Sequence, residues 1–398
     1  MSSINSYETD IKKLKRSRRS KRFIKRFMMI LAVLIVALLV YISHDSWLPY
    51  FEEILEDGYE SSTSITVTTD DEEEEETNFP FDVSSRSNVS IGAMRDCWVM
   101  FSDTSITTYD ASGSVIQSVY APYGTPTVET SSTRALVYDM GGYSLMVISR
   151  RNEIFEKKLD DQILFAEIGE KGNIAVITST DKYVSYLTIY DKNGTEVFHW
   201  ADGNYIMAVA MNDSGSGCAV ASLYASGGIL KTLVYVLDFN STEIQAKSSA
   251  IETLALDVEF TDDNEIWLVG SDAVYLLEND CTVSYSYDYV YDISGFSAVD
   301  DVCAISFEKP GSDECVVAVF KAGLDEPAEI TYNEEVKYIL VNDDKVYLNT
   351  SSQLDCLNSS GELKSETSLD AEYTTFVIYS NNAILQNYRS VVKATIGG

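Results

Sequence analysis

The sequence is poor in histidine and lacks the motifs of several common catalytic sites. Only two histidines occur among 398 residues, His44 and His199. The Gly-x-Ser-x-Gly motif of serine hydrolases is absent, and so are the glycine-rich loops Gly-x-x-x-x-Gly-Lys-Ser/Thr and Gly-x-Gly-x-x-Gly that bind nucleotide phosphates. We therefore expect no enzyme activity, no catalytic residue and no cofactor.

Metal-binding patterns are also missing. No Cys-x-x-Cys pair or zinc-type Cys/His spacing occurs. The run Asp191, Asn193, Gly194 resembles the start of a calcium loop, but it lacks the further acidic ligands and the closing Glu. Several cysteines interrupt strand-like runs such as CVVAVF, where a thiol packs as a small apolar group. We expect no metal and mostly buried free thiols at Cys97, Cys218, Cys281, Cys303, Cys315 and Cys356.

Positive charge is scarce after residue 26. The net charge of the chain is −33, yet residues 1–26 hold ten Lys and Arg against two acidic residues. Everything after this basic arm is therefore strongly acidic, and we expect the main domain to repel nucleic acid. The arm itself favours a topological role with contact to anionic lipids, and a cytoplasmic polyanion is the alternative partner.

Long apolar runs are limited to one, FMMILAVLIVALLVYI, at residues 27–42. It predicts a transmembrane helix over 23–43, with Lys25 and Arg26 reaching toward the head groups. The positive-inside rule places the arm (1–26) in the cytoplasm and the rest of the chain outside the cell membrane. A cleaved signal peptide is the alternative, but no A-x-A-like site follows the run. Residues 44–77 are acidic and Ser/Thr-rich, which predicts an unfolded linker.

Residues 78–398 contain almost no helical periodicity and instead repeat short alternating runs. YDASG (109–113) follows SITT, and YDKNG (190–194) follows LTI. Equivalent corners recur at spacings of 37 to 47 residues, at Asp110, Ser149, Asp191, Asp238, Glu278, Lys321 and Asn358. A period near 40 made only of strand patterns is typical of a β-propeller, whose blade is a four-stranded antiparallel sheet.

The blade number follows from what remains at the two ends of this domain. After the seventh repeat, residues 373–396 still encode three strands, and NFPFDVSSR (78–86) precedes the first. A three-stranded blade would leave an open edge. We therefore predict an all-β propeller of eight blades, in which 78–86 supplies the outermost strand beside 389–396. Seven blades are the alternative.

The repeat length resembles that of quinoprotein-like propellers more than that of WD40 propellers, because the Gly-His and Trp-Asp signatures are missing. The layout of basic arm, span, acidic linker, Phe-Pro-x-Asp segment (79–82) and phrases such as SDTSITTYDASG resembles uncharacterised bacterial single-pass membrane proteins with an extracytoplasmic β-propeller. The resemblance implies fold and topology and transfers no activity.

Two groups of side chains are candidates for ligand binding. In YSYDYVYD (285–292) four tyrosines alternate and would share one face of an extended strand, where they could stack on sugars or pack against a neighbouring blade. They are Tyr285, Tyr287, Tyr289 and Tyr291. The second group lies in loops predicted to join second and third strands, and comprises Tyr143, Tyr183, Tyr224, Lys309 and Arg389.

The sequence as a whole favours a membrane-anchored extracytoplasmic propeller that acts as a binding or scaffold module at the cell envelope. Its ligand would be an envelope protein or a cell-wall glycan. The alternatives are a quinone- or carboxylate-dependent enzyme, and a sensor that signals to the basic arm. A channel with converging carboxylates would favour the enzyme, and a closed apolar channel the scaffold.

Overall fold

The computed structural model describes residues 78–86, 88–312 and 314–396. The predicted basic arm (1–26), membrane helix (23–43) and linker (44–77) lie outside these residues. Within the described ranges no helix has the length and apolar character needed to cross a membrane.

The described residues fold into eight four-stranded antiparallel sheets, each of which is one propeller blade. The strands of blades 1 to 4 are β2 (Ser90–Met94), β3 (Cys97–Ser102), β4 (Ser105–Tyr109), β5 (Val115–Tyr120); β6 (Pro126–Thr130), β7 (Arg134–Asp139), β8 (Ser144–Ser149), β9 (Glu153–Lys158); β10 (Ile163–Ile168), β11 (Ile174–Thr178), β12 (Ser185–Tyr190), β13 (Glu196–Asp202); and β14 (Tyr205–Met211), β15 (Gly217–Ser226), β16 (Ile229–Asp238), β17 (Ile244–Lys247).

Blades 5 to 7 follow the same order. Their strands are β18 (Ala255–Phe260), β19 (Ile266–Gly270), β20 (Ala273–Leu277), β21 (Val283–Asp288); β22 (Asp292–Val299), β23 (Val302–Glu308), β24 (Cys315–Lys321), β25 (Ala328–Tyr332); and β26 (Tyr338–Asn342), β27 (Lys345–Asn349), β28 (Gln353–Asn358), β29 (Leu363–Ser368). Blade 8 combines β30 (Thr375–Tyr379), β31 (Asn382–Gln386) and β32 (Ser390–Thr395) with β1 (Phe81–Asp82).

Burial explains the position of each strand within a blade. In blade 1 every residue of β3, CWVMFS, is buried, whereas the fourth strand, β5, alternates between exposed and half-buried residues. Strands buried on both faces are expected to be rich in β-branched and apolar residues, as the second and third strands are here. The more polar fourth strand of each repeat therefore lies at the outside of its blade.

The hydrophobic core is divided among the interfaces between blades. Eight separate apolar clusters are formed by the described residues, and each combines side chains of two consecutive blades. One of them joins blade 8 to blade 1, through Ile384 and Val391 on one side and Trp98 on the other. Eight interfaces for eight blades mean that the ring is closed.

The predicted closure by the N-terminal segment is confirmed. β1 is the outermost strand of blade 8 and pairs with β32, with Phe81 opposite Val391 and Asp82 opposite Ser390. Phe79 and Phe81 also pack on the indole of Trp98 in blade 1, each with ring centroids 5.6 Å apart from it. Blade number, corner positions and the pairing of the two ends therefore agree with the sequence.

Antiparallel strands give each blade two ends, and the ring correspondingly has two rims. The loop rim contains the loops between second and third strands together with the connections between blades. The corner rim contains the loops between first and second strands and the corners between third and fourth strands. Asp110 and Asp191 occupy such corners, where each carboxylate accepts hydrogen bonds from backbone N–H groups two and four residues later. This explains the repeated Tyr-Asp-x-x-Gly motif.

Candidate functional site

Carboxylates converge on the central channel, which is lined by the first strand of every blade. Glu129 lies on β6 of blade 2, and Asp257 lies on β18 of blade 5. Burial and then the negative charge of Asp257 raise the pKa of Glu129 to about 7. Two blades separate blade 2 from blade 5, so this interaction crosses the channel.

Two further carboxylates belong to the same group. Burial, followed by the charges of Glu129 and Asp257, holds the pKa of Glu167 on β10 well above its usual value. Burial and Asp257 likewise raise the pKa of Glu259 on β18. The pKa of Asp257 itself rises to about 7 through burial. We call these four residues (Glu129, Glu167, Asp257 and Glu259) the channel carboxylates.

The channel carboxylates have no positive partner on the strands that surround them. None of the eight first strands contains Lys, Arg or His. Among the described residues, no group of three or more His, Cys, Asp or Glu is arranged to hold a metal ion. The channel is thus acidic and partly protonated near neutral pH, which differs from the apolar channel expected of a pure scaffold.

The acidic character extends to the corner rim, around one mouth of the channel. Asp262, Asp300 and their neighbours lie in the loops between first and second strands of blades 4 to 7. The repulsion from Asp301 raises the pKa of Asp262. Burial, and then Asp262 and other aspartates, raise the pKa of Asp300 to about 6. The aspartates of this arc are Asp213, Asp262, Asp263, Asp300, Asp301, Asp343 and Asp344.

All five predicted segments lie where a second strand meets a third, and they therefore share the loop rim, but Tyr224 belongs to the end of β15 rather than to a loop. Tyr143 and Tyr183 belong to blades 2 and 3, and their side chains are 42% and 36% exposed. Tyr224 is half-buried in blade 4. Because these blades are consecutive, the three tyrosines follow one arc of the rim.

The structure does not bring the two predicted basic residues together with this arc. Lys309 lies in blade 6, where its Nζ contacts Glu314 Oε2 at 2.6 Å beside a cleft of about 430 Å³. Arg389 lies in blade 8, with its guanidinium 5.1 Å from the centre of the Tyr388 ring. The sequence predicted the correct rim for both residues, but the structure places them in separate parts of it.

The loop rim also exposes apolar side chains that sequence reasoning missed. On blades 2 to 4 they are Met140, Leu164, Val184, Tyr205, Met207, Ile229 and Leu230. Each lies within two residues of a predicted loop or among the first three residues of a first strand, so their exposure depends on where the strands end. Predicting the exposure of these side chains requires strand boundaries that are accurate to one residue, and the alternating pattern does not supply them.

The tyrosine run at 285–291 is divided between a strand and a connection. β21 ends at Asp288, so the prediction of one continuous strand was wrong for Tyr289 and Tyr291, which lie in the connection to blade 6. All four tyrosines are half-buried against the core between blades 5 and 6. Tyr287 packs on Phe320 and Tyr289 packs on Phe307, at centroid distances of 5.2 and 5.0 Å. Packing against the neighbouring blade accounts for the alternation.

The cysteines and His199 are the remaining side chains that could act as nucleophile and base. All six cysteines are buried, as predicted. Burial raises the pKa of Cys218 and Cys303, so neither thiol ionises readily. His199 is exposed on β13, where its Nδ1 lies 3.0 Å from Glu196 Oε1 and its ring stacks on Tyr186.

Comparison with protein families shows which family the chain belongs to. The model of a family described as "Family of unknown function (DUF5711)" matches residues 68–388. The chain belongs to this family. The match includes β1, which we call the clasp, and every other strand of the ring except β32, which begins after residue 388. The eight-bladed ring is therefore the structure of a DUF5711 protein.

No match was found among curated protein sequences. Solved structures with a similar fold include BamB from Moraxella catarrhalis, 13% identical, with a TM-score of 0.54 over 79% of this chain and 97% of that one. Sqt1 from Saccharomyces cerevisiae is 9% identical, with a TM-score of 0.59 over 79% and 98%. AztD from Citrobacter koseri is 12% identical, with a TM-score of 0.50 over 78% and 90%. At these identities the likeness shows the propeller fold alone.

Proposed function

We propose that this DUF5711 protein is a membrane-anchored extracytoplasmic propeller that binds envelope proteins without catalysing a reaction. The apolar segment 27–42 serves as the anchor, with the basic arm in the cytoplasm and the propeller outside. The acidic residues 44–77 connect the two parts as a spacer.

The point of attachment supports this arrangement. The backbone N–H of Asn78, the first described residue, donates to Ser112 O in a corner of blade 1, at 2.9 Å. The chain therefore enters the propeller at the corner rim. The loop rim lies at the opposite ends of the strands, where it is free to meet other molecules.

The observation that carries the binding role is the exposure of large apolar side chains on the loop rim of three consecutive blades. Met140 and Tyr143 of blade 2, Tyr183 of blade 3 and Ile229 of blade 4 are each at least a third exposed. Large apolar groups clustered on one face of a soluble domain are typical of sites that bind proteins. Aromatic and methionine side chains are enriched at the centres of such sites.

A protein ligand is supported better than a cell-wall glycan. A glycan site would use the faces of the aromatic rings at 285–291, but those rings are half-buried against blade 6. Tyr143 and Tyr183 on the loop rim are exposed but lie in different blades. They suit contact with an extended protein surface.

Site-specific photo-crosslinking in native membranes tests the binding role. A photoreactive amino acid in place of Tyr143 or Tyr183 is expected to give discrete protein adducts, whereas the same residue in place of Val197 or Val283 on the outer strands is not. Equal labelling from all four positions, or none from the loop rim, would contradict the proposal. Glycan adducts from the loop rim would replace the protein ligand with a cell-wall polymer.

Protease protection tests the topology separately. Protease added to intact cells without their wall is expected to cut residues 44–77 and leave the basic arm protected. Digestion of the arm in those cells, with survival of the propeller, would reverse the assignment.

The channel carboxylates favour one second candidate, carboxylate-dependent catalysis. A pair such as Glu129 and Asp257, with both pKa values near 7, has the protonation behaviour that general acid and base catalysis requires. Turnover of chromogenic glycosides that disappears in both Glu129→Gln and Asp257→Asn would support this candidate over the binding role.

A further inference from the structure

Blade 4 carries a β-hairpin that projects beyond the loop rim. β15 and β16 pair as far as Ser226 opposite Ile229. By contrast, the pairing of β15 with β14 stops at Leu223. The other side of the hairpin is last paired at Thr232, which forms a bridge with Ile251. We call residues 224–231, which have only each other as strand partners, the finger.

The turn of the finger is built to be tight. Gly227 and Gly228 both have positive φ, 64° and 83°, and form a two-residue connection. Such a pair is favoured in hairpins because its twist matches that of the strands. A Cβ at either position would meet no atom within 4 Å. Glycine is therefore required at these positions by the backbone conformation of the turn and not by close packing. The finger is a regular hairpin that extends above the surface.

The end of the hairpin is apolar and uncharged. From Leu223 to Leu230 the sequence is LYASGGIL. Ile229 is 48% exposed and Leu230 46% exposed. Because these neighbours in one strand point to opposite faces, both faces of the finger present an apolar side chain. Projecting strands in natural proteins usually carry charges that prevent association, and this segment carries none.

Around the finger, three acidic side chains outnumber two basic ones, Lys182 and Lys231. Asp181 of blade 3, Glu252 in the connection to blade 5, and Asp272 of blade 5 are all exposed. Lys231 at the base of the finger is paired with Glu252, at 2.8 Å between Nζ and Oε1. An apolar projection in an acidic field complements a partner surface that is apolar and positively charged. An anionic lipid surface would be repelled.

We propose that the finger is the docking element for a segment of a partner protein that is rich in apolar and basic side chains. This inference rests on the proposed binding role and specifies its partner. Ile229 and Leu230 supply apolar contact, and Asp181 and Asp272 of the neighbouring blades select for positive charge. A second copy of this chain would bring two acidic propellers together and is disfavoured by repulsion.

Peptide probes test the finger with the full-length protein in detergent. A short fluorescent peptide of alternating Leu and Lys is compared with a Ser/Lys peptide of equal charge and a Leu/Glu peptide of equal apolar content. Anisotropy titrations at physiological salt are expected to show the Leu/Lys peptide binding about tenfold or more tightly than either control. The double variant Ile229→Ser, Leu230→Ser is expected to lose about tenfold or more of this affinity.

The matched control is Val283→Ser with Leu363→Ser, two similarly exposed residues on outer strands. It is expected to bind the Leu/Lys peptide like the wild type. Circular dichroism melting should show that both double variants remain folded, because all four side chains are exposed.

Equal binding of the Leu/Lys and Ser/Lys peptides would mean that charge alone acts, and would overturn the inference. Unchanged affinity in the finger variant, or a dimer that this variant converts to a monomer, would also overturn it. If these failures occur while crosslinks from Tyr143 and Tyr183 persist, the binding role stands and only the finger assignment falls.

Discussion

Phe81 lies directly opposite Val391 in antiparallel register, so the first described strand completes the last blade. The pairing is short, but it is reinforced by the contacts of Phe79 and Phe81 with Trp98 and by a hydrogen bond from Val83 N to Arg389 O at 2.8 Å. The closure of the ring thus depends on a few residues that precede blade 1.

Deletion of residues 78–86 is therefore expected to lower the unfolding temperature of the protein sharply, because it exposes β32 and removes the aromatic cluster. Deletion of 60–76, which precedes the described ring, should change it little. Thermal melts followed by circular dichroism check both. Similar melting temperatures for the two deletions would show that the clasp does not stabilise the ring.

Asp257→Asn is expected to stabilise the protein at pH 8. The raised pKa of Asp257, about 7, means that the folded state disfavours its charge. Stability is therefore lost as the pH rises from near 4, the unfolded value, through 7. Removing the charge should recover about 1–3 kcal/mol at pH 8 and progressively less toward pH 4. Urea titrations across this range measure the difference, and a gain that grows toward low pH would contradict the sign.

Asp110→Ala should show the opposite pH dependence. Burial acts to raise the pKa of Asp110, but hydrogen bonds from Ser112 and Ser114 hold it below its usual value. The stabilisation is present above the unfolded pKa and is lost as the pH falls through the folded one. We expect a cost of about 1–2 kcal/mol at pH 7 that decreases as the pH falls below the unfolded pKa of about 4. Asp161→Ala, at an exposed position between blades 2 and 3, is the control.

Two Tyr→Phe substitutions in the same run should differ in sign. The hydroxyl of Tyr287 donates to Glu329 Oε1 at 2.6 Å, whereas the buried hydroxyl of Tyr289 meets no hydrogen-bonding partner among the described residues. Tyr287→Phe should cost about 0.5–1 kcal/mol, and Tyr289→Phe should be neutral or stabilising by up to about 1 kcal/mol. Chemical denaturation measures both, and a destabilised Tyr289→Phe would point to a buried water at that hydroxyl.

The ring could be predicted from the sequence because its determinants are local and repeated. Alternation of period two identified strands, the Asp and Gly of each corner marked the third-to-fourth turn, and three leftover strands at 373–396 required a partner. The short length of β1 was harder to predict, since Pro80 cannot donate to a ladder and only Phe81–Asp82 pair. The exposed residues of the loop rim depended on strand ends, which alternation does not fix.

The channel carboxylates escaped prediction for a different reason. Glu129 and Asp257 are far apart in the sequence and lie in blades that do not touch, so only the curvature of a closed ring brings them together. In a chain this acidic, no local pattern distinguishes these two from the many carboxylates at the surface. The sequence does not predict the finger, because YASGG resembles an ordinary turn and the alternating pattern does not show how far the strands on either side of it pair.

The clasp also sets an order for biosynthesis. β1 is made before every other described strand, but its partner β32 is made after all of them. At rates of 5–20 residues per second, roughly 15–60 s pass between the two. During that interval blades 1 to 7 can form in sequence while the first and last interfaces stay open. A chain interrupted before Ser390 would keep those surfaces exposed, which gives proteases a direct way to recognise and remove incomplete copies.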